Sequence, residues 1–254
     1  MASKQGILKL YKNRGETPLE CIKRFKKDNP EYGGDKMTYA GRLDPLAEGL
    51  LLILVGEECK NKEKYLGLNK EYELSILLGF STDTYDILGK VKMQIDADRT
   101  QIYAEKYFSD ILQTFVGKFS QKYPDYSSKT IKGKPLFEYA KNGTLEEEEI
   151  PEKEVEIKNI DFIGERFISK KELDVYIRKS INLVFGDFRQ EDILKSWEEN
   201  LEKSIFEEYK IITIKVVCSS GTYMRSLANS FGLKIDIPSL AFDIKRNKIG
   251  DFIL

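Results

Sequence analysis

Leu50 to Val55 reads LLLILV, six apolar residues in a row, and Gly56 closes the run. Such a segment leaves no face for water. It must be a strand buried on both sides or another core segment, and its length alone does not decide which. It falls far short of the roughly 20 apolar residues that would span a bilayer. The stretch before it, YAGRLDPLAEG (Tyr39 to Gly49), is polar and turn-forming. The chain therefore delivers Asp44, between Leu43 and Pro45, to the edge of its core. Two readings of Asp44 stay open on local grounds. It suits the N-cap of a turn starting at Pro45: Asp is favoured at caps, Pro at the first helical position, and a residue before proline is pushed out of the α region. It is also placed to be a reactive carboxylate at the edge of a core strand.

The chain has no histidine. That removes Ser-His and Cys-His nucleophile pairs and every histidine metal site, and leaves acid–base work to Asp, Glu, Lys, Tyr or Cys. Cys21, Cys59 and Cys218 are far apart and show no C-x-x-C spacing, so reduced thiols are expected and zinc is not. No metal and no cofactor are expected. At 254 residues the chain can bury one large core or two small ones. The opening MASKQGILKLYKNRG holds only a short apolar patch, unlike a signal peptide, which points to a cytoplasmic protein. A net charge of -1 argues against a generic polyanion binder. The charge is unevenly spread, however. From Lys118 to Lys141 six lysines stand against two acids, and from Leu145 to Glu156 seven glutamates stand against one lysine. The first stretch suits phosphates, the second a solvated face.

Periodicity and breakers outline the elements. Ile7 to Tyr11 predicts a strand. Thr17-Pro18-Leu19-Glu20 is a capping box that predicts a helix to about Lys27. Lys70 to Leu78 alternates, with Tyr72, Leu74, Ile76 and Leu78 on one face of a strand. Gly79 to Val91 reads as a polar, turn-rich loop, and Asp98 to Phe115 as a helix. Ser127 to Gly143 reads as a lysine-rich loop leading into a short helix. Strands are expected at Val155 to Ile163 and Tyr209 to Ser219, and helices at Phe188 to Phe206 and Gly221 to Gly232, the last closed by its glycine. This order implies an α+β fold around a mixed, mostly antiparallel sheet.

Three positions stand out chemically. Arg225 lies in the first turn of its helix, where the macrodipole disfavours a cation, so a half-buried arginine there needs a carboxylate or phosphate partner. Exposure to solvent is the plain alternative. Tyr72 sits on an apolar strand face, where core packing is the default. Asp83 and Asp86, in TDTYD, lack the ligand spacing of a calcium loop and are expected to form local Asx turns. Ser220 and Thr222 are placed to cap the helix that follows.

A wider resemblance brings these positions together. GRLDPLAEGLLLILVGEECK resembles the signature of the bacterial TruB-type tRNA pseudouridine synthases. KEYELSILLGFSTDTYDILGKV resembles the family's next block, FVGKFSQKYPDYSSKTIKGKPLFEYAKNG its RNA-binding thumb, VVCSSGTYMRSLANSFG its arginine block, and IKRNKIGDF the end of its catalytic domain. The blocks keep the family's order across nearly the whole chain. The resemblance implies a pseudouridine-synthase-like fold with a central RNA-binding cleft. It implies isomerisation of a tRNA uridine, the T-loop uridine at position 55, and a monomer that grips the T arm without a membrane or metal. Asp44 falls on the catalytic aspartate, Tyr72 on the tyrosine that stacks on the target uracil, and Arg225 on the arginine that pairs with the aspartate. Tyr223, Ile244 and Lys60 fall on residues around the base. Tyr39 and Arg42 fall near the extruded RNA, and Lys129, Lys132 and Lys134 on the thumb facing phosphates.

Four departures accompany it. Tyr39 stands where the family has a histidine five residues before the aspartate. The N-terminal pattern is KNRG rather than KPxG, Lys12 to Gly15. The expected organisation is one catalytic domain over residues 1–254 without a C-terminal PUA domain. A helical insertion is expected at about 164–209, with Leu173, Tyr176, Ile177, Ile193, Leu194, Trp197, Leu201 and Ile205 packed inward. Its early basic residues, Lys170, Lys171, Arg178, Lys179 and Arg189, are candidates for extending the RNA surface, and a purely structural decoration is the plain alternative. Other readings stay open: a non-catalytic RNA-binding module on the same fold, a synthase for another RNA, and a hydrolase using Asp44 and Asp83 as an acid–base pair.

Overall fold

The computed structural model describes residues 4–94, 105–146 and 150–254. Its first strand, β1 (Gly6–Lys12), leads to helix α1 (Pro18–Asp28). The capping box is formed as expected: Thr17 Oγ1 accepts from the Glu20 N–H at 3.2 Å, and the Glu20 carboxylate accepts from the Thr17 N–H at 2.7 Å. Strand β2 (Met37–Ala40) precedes β3 (Glu48–Val55), so the apolar run resolves as a strand. β1 pairs along one edge of β3 and β2 along the other. Leu50, Leu52 and Leu54 face one apolar cluster, and Leu51, Ile53 and Val55 face another. With both faces covered, no position in the run could be polar without a buried partner.

After helix α2 (Lys62–Leu66) comes β4 (Lys70–Leu78), near the middle of the sheet. It lies between β11 (Glu208–Cys218) and β12 (Ser239–Ile249) and is antiparallel to both. Tyr72, Leu74, Ile76 and Leu78 share one core cluster, as their alternation requires. The full order is β1-β3-β12-β4-β11-β10-β7, where β7 is Gly117–Lys122 and β10 is Glu152–Ser169. Among the described strands of this sheet, the pairings are antiparallel except that of β3 with β12, which is parallel. There Gly49, at φ 106°, faces Arg246; a Cβ on Gly49 would lie 2.3 Å from the Arg246 carbonyl oxygen. The sheet is mixed and mostly antiparallel with helices on its faces, as the element order implied. Among the described residues no helix is long and apolar enough to cross a membrane.

Several expectations need correction. Gly79 to Val91 is not an open loop. β5 (Phe80–Thr82) pairs with β6 (Val91–Gln94), and Thr82, Thr84, Asp86, Ile87 and Leu88 between them are buried. Its polar groups satisfy one another: Thr82 and Thr84 hydroxyls donate to the Asp86 carbonyl and carboxylate, both at 2.6 Å. The helix expected from Asp98 is seen as α3 (Glu105–Gln113); residues 98–104 lie outside the described residues. The thumb holds a two-residue hairpin, β8 (Thr130–Ile131) with β9 (Lys134–Pro135), then α4 (Leu136–Lys141).

β10 runs well past Ile163. Irregularities at Ile157/Asn159 and Phe162/Gly164 break the alternation that would have shown its length. The expected insertion therefore begins as strand and turns helical only in α5 (Lys170–Asn182) and α6 (Gln190–Lys203). These helices bury Leu173, Ile177, Ile193, Trp197 and Leu201 against Phe80 and Tyr209, with Tyr176 and Leu194 at the edge. Ile205 is 74% exposed because α6 ends at Lys203 and the helical period no longer applies. The helix α7 (Met224–Ile235) passes through Gly232 and ends at Asp236 in the left-handed region. Gly232 is instead a packing requirement: a Cβ there would lie 2.2 Å from Ser239 Oγ. Neither Ser220 nor Thr222 caps α7. Tyr223 is its N-cap residue, Ser220 donates to the Leu66 carbonyl, and Thr222 to the Ser219 carbonyl.

Candidate active site

Asp44 starts a single turn, closed by the Ala47 N–H donating to the Asp44 carbonyl at 3.1 Å. No helix follows, so there is no row of amides for its side chain to cap. The carboxylate turns instead to Arg225, which donates from Nε at 2.7 Å and from Nη2 at 3.3 Å. Asp44 is 30% exposed, whereas Arg225 is 4% exposed. The guanidinium also donates to the Thr84 carbonyl at 2.7 Å and the Tyr126 carbonyl at 3.4 Å, and its Nε lies 3.7 Å from Asp86. Burial works against the charge on Arg225, but Asp44 and Asp86 outweigh it and push its pKa further up. Two carboxylates thus offset the unfavourable helix dipole. Burial raises the pKa of Asp86, while Arg225 opposes that shift. Asp86 also keeps its turn role, accepting from the Leu88 N–H at 3.0 Å. Asp83 does not form the expected local turn: it accepts from the Lys90 N–H, seven residues on, at 2.9 Å and pairs with Arg189 at 2.8 Å.

Above the pair opens a cavity of about 280 Å³, lined by Asp44, Arg42, Tyr72, Tyr223 and Ile244 among others. Tyr72 is 8% exposed and burial raises its pKa, so it enters as a neutral phenol. Burial, then the Asp44 charge, pushes Tyr223 up to about 12. The Tyr223 backbone is clamped on both sides by the Gln121 amide, at 2.8 and 3.2 Å. Its ring meets the edge of Tyr123 at 5.6 Å between centroids.

Of the residues singled out in the sequence, Asp44, Tyr72, Tyr223, Arg42 and Ile244 line this cavity, and Arg225 lies against Asp44. Tyr39 is half-buried beside it, accepting from Arg42 at 3.1 Å. Lys60 stands away on the exposed surface, paired with Glu57. Lys129, Lys132 and Lys134 are exposed on the thumb, and Lys129 Nζ stands 5.3 Å from the Tyr123 ring centroid. Tyr123 also borders a larger groove of about 920 Å³ that includes Lys92, Lys118, Lys122 and Lys234. The groove is the larger space, but the residues singled out in the sequence converge in the smaller one.

Among the described residues, four buried cations escaped the sequence reading: Lys210, which pairs with Glu165 at 3.1 Å, and three that meet backbone carbonyls. Arg246 donates to the carbonyls of Leu50, Arg42 and Gly41 at 2.9 to 3.3 Å. Lys12 donates to those of Asn13, Pro45 and Ala47 at 2.5 to 3.1 Å, and burial lowers its pKa to about 8. Lys70 donates to Leu66 and Leu68 at 2.5 Å, and burial, helped by Arg246, lowers it to about 8. A signal existed for two of them: Arg246 is two residues past Ile244, and Lys70 two before Tyr72, on the same strand faces. In the helical insertion, Lys170 turns to Glu207, and Arg178 to Asp174 and Glu198, so their charges are already matched.

The chain is 31% identical over 247 residues to tRNA pseudouridine synthase B of Ligilactobacillus salivarius, covering 97% of this chain and 68% of the relative. It is 27% identical to the protein of the same name from Caldanaerobacter subterraneus subsp. tengcongensis, covering 98% and 70%. The fold is shared with a chain of a crystallised Cbf5-Nop10-Gar1 complex, with a TM-score of 0.58 and 16% identity over 98% of this chain. A chain of an H/ACA RNP bound to a substrate RNA matches with a TM-score of 0.55 and 15% identity. The present chain spans about two thirds of the length of the bacterial relatives and about half that of the solved chains. Residues 29–181 match the TruB family pseudouridylate synthase N-terminal domain, and the chain belongs to that family.

Proposed function

We propose that this protein isomerises a uridine of tRNA to pseudouridine, with uridine 55 of the T loop as its target and Asp44 as the reactive carboxylate. The observation that carries the reading is the Asp44–Arg225 pair at the floor of an aromatic-walled cavity on the scale of a single pyrimidine. The reaction breaks the C1′–N1 bond, turns the base while it is held, and joins C5 to C1′. Attack on C1′ and removal of the C2′ proton both require a carboxylate that is ionised and aimed. Arg225 supplies the cation, and its two carbonyl contacts fix its direction. Tyr72 offers a ring face to the extruded base, with Ile244 as an apolar wall; such contacts recover part of the few kcal/mol that unstacking costs. Tyr72 acts as a neutral phenol, through its ring and its hydroxyl. The C5 proton leaves after the new bond forms and N1, freed from C1′, takes up a proton, so the product is an isomer of uridine.

The same reading makes residues 1–254 a catalytic domain with α5 and α6 as an insertion. It also takes the protein as a monomer, and a tRNA substrate supports a cytoplasmic location. The lysines of the thumb suit the T-arm phosphates. A hydrolase built on Asp44 and Asp83 is disfavoured, because Asp83 is held by Arg189 and the Lys90 N–H. The test is incubation with an unmodified tRNA transcript and mapping of pseudouridine. Modification at one T-loop uridine by the wild type and none by Asp44→Asn is the expected result; equal modification by both refutes the assignment.

A further inference from the structure

Arg189 lies just before α6, in the helical segment expected from the sequence as an insertion. Its backbone is left-handed, with φ 63° and ψ 31°. A non-glycine residue pays about 1–2 kcal/mol for that conformation, which persists only where the surroundings impose it. The side chain shows what the conformation achieves. Nη1 donates to Asp83 Oδ2 at 2.8 Å and to the Tyr126 hydroxyl at 2.7 Å, and the guanidinium carbon lies 4.1 Å from the Tyr126 ring centroid. The contact is largely shielded from solvent: Arg189 is 18% and Asp83 14% exposed.

Both partners lead to the candidate active site. Asp83 precedes Thr84, whose carbonyl accepts from Arg225 at 2.7 Å; Tyr126 itself offers the second carbonyl, at 3.4 Å. Both backbone carbonyls that accept from Arg225 are therefore at, or next to, a residue that Arg189 holds. A second bridge crosses nearby, from Lys141 at the end of the thumb to Asp187, at 3.2 Å.

We propose that Arg189 is a positioning residue: through Asp83 and Tyr126 it fixes the two carbonyls that aim Arg225 at Asp44, so that the α5–α6 insertion braces the reactive pair and the base of the thumb. This deepens the proposed function and rests on it. A misplacement of about 1 Å at a reacting centre costs on the order of a hundredfold in rate, while the Arg189 guanidinium is spent on Asp83 and Tyr126, so RNA affinity is expected to rest on the exposed lysines.

The test uses the full chain and an unmodified tRNA transcript. Arg189→Gly removes the side chain and relieves the left-handed strain, and Arg189→Lys keeps a cation that can reach Asp83 but lacks the fork. The single-turnover rate at saturating tRNA should fall about ten- to a hundredfold in Arg189→Gly, with tRNA Kd changed less than about twofold. Arg189→Lys should recover part of the rate. Asp83→Asn combined with Arg189→Gly should be no slower than Arg189→Gly alone, because both act on one path. Hydrogen exchange in the free protein should quicken at Thr84 to Leu88 and at Tyr126 to Ser127. A wild-type rate in Arg189→Gly, a loss confined to Kd, or additive losses in the double variant would overturn the proposal. If the wild type leaves tRNA unmodified, the functional reading fails by itself, and exchange decides the brace: quickening at both segments supports it, and unchanged exchange overturns it.

Discussion

Replacing Arg225 by methionine tests the electrostatic reading of the site most directly. Methionine keeps much of the volume and removes the cation. Asp44, bonded at 2.7 Å, and Asp86, at 3.7 Å, then face each other without a counter-charge, and the Thr84 and Tyr126 carbonyls lose their donor. Removing one partner of a buried pair costs about 3–5 kcal/mol. Asp44 is 30% exposed, and water can reach it, so the lower end, about 3 kcal/mol, is expected. That is a large share of the 5–15 kcal/mol typical of a folded domain. The pH dependence has a definite sign. Burial already raises the pKa of Asp86, with Arg225 as the main opposing influence, so the variant raises it further. A carboxyl with a raised folded pKa contributes stability that is fully present below its unfolded pKa and is lost as pH rises through the folded one. The deficit against wild type should therefore be smallest near pH 4 and grow toward neutrality. Urea unfolding of both proteins across that range measures it, and Asp86→Asn in the variant should recover part of the loss. A deficit under about 1 kcal/mol at pH 7, or one that grows on acidification, would show that Arg225 does not balance these carboxylates.

Asp44→Asn should abolish pseudouridine formation while leaving tRNA binding within about twofold, because it removes the reactive charge and almost no volume; filter binding beside the modification assay separates the two. Alanine at Lys129, Lys132 and Lys134 should weaken tRNA binding and lower its salt slope by about one for each phosphate left without its lysine, and an unchanged slope would make the thumb lysines mere solvated surface. Lys12 carries a folded pKa near 8, below its ordinary 10.5, so its stability contribution is present above the unfolded value and lost as pH falls through the folded one. Urea midpoints of the wild type should rise from pH 8 to 10 more steeply than those of Lys12→Met; parallel curves would refute the assignment. Gly232→Ala places a methyl 2.2 Å from Ser239 Oγ and 2.4 Å from the Ile237 carbonyl, and should cost about 1–3 kcal/mol in the same assay.

Elements written in local chemistry were legible in the sequence. The Thr17–Glu20 box needs only four consecutive residues, and the β4 alternation needs one sheet face. What escaped depended on partners far along the chain. Gly79 to Val91 looked solvent-exposed because it is polar, yet its threonines and Asp86 satisfy one another and can be buried together. β10 looked short because irregular register hides a strand's period. Its pairing with β11 carries it to Ser169, and only the distant strand at Glu208 reveals that. The buried cations were least legible. Lysine and arginine belong on surfaces by default. Here the acceptors of three are carbonyls of turns, as when Arg246 meets Gly41 some two hundred positions away.

Those cations also explain why Asp44 is not a cap. Arg246 takes the Gly41 and Arg42 carbonyls, and Lys12 takes those of Pro45 and Ala47. The loop from Gly41 to Ala47 is thus held from beneath by its own backbone acceptors, which point into the core. A loop held in that way has no need of a side-chain cap to define it. Pro45 disfavours a helical conformation at the residue before it, and the Asp44 side chain meets Arg225. That arginine is itself denied a helix-dipole partner and supplied with two backbone carbonyls. Neither member of the pair is placed by the other. Each is set by its own scaffold, and the ion pair forms because two independently fixed groups meet at 2.7 Å. That is the arrangement a reactive carboxylate needs, since a group positioned by backbone keeps its aim when a substrate displaces part of its pairing.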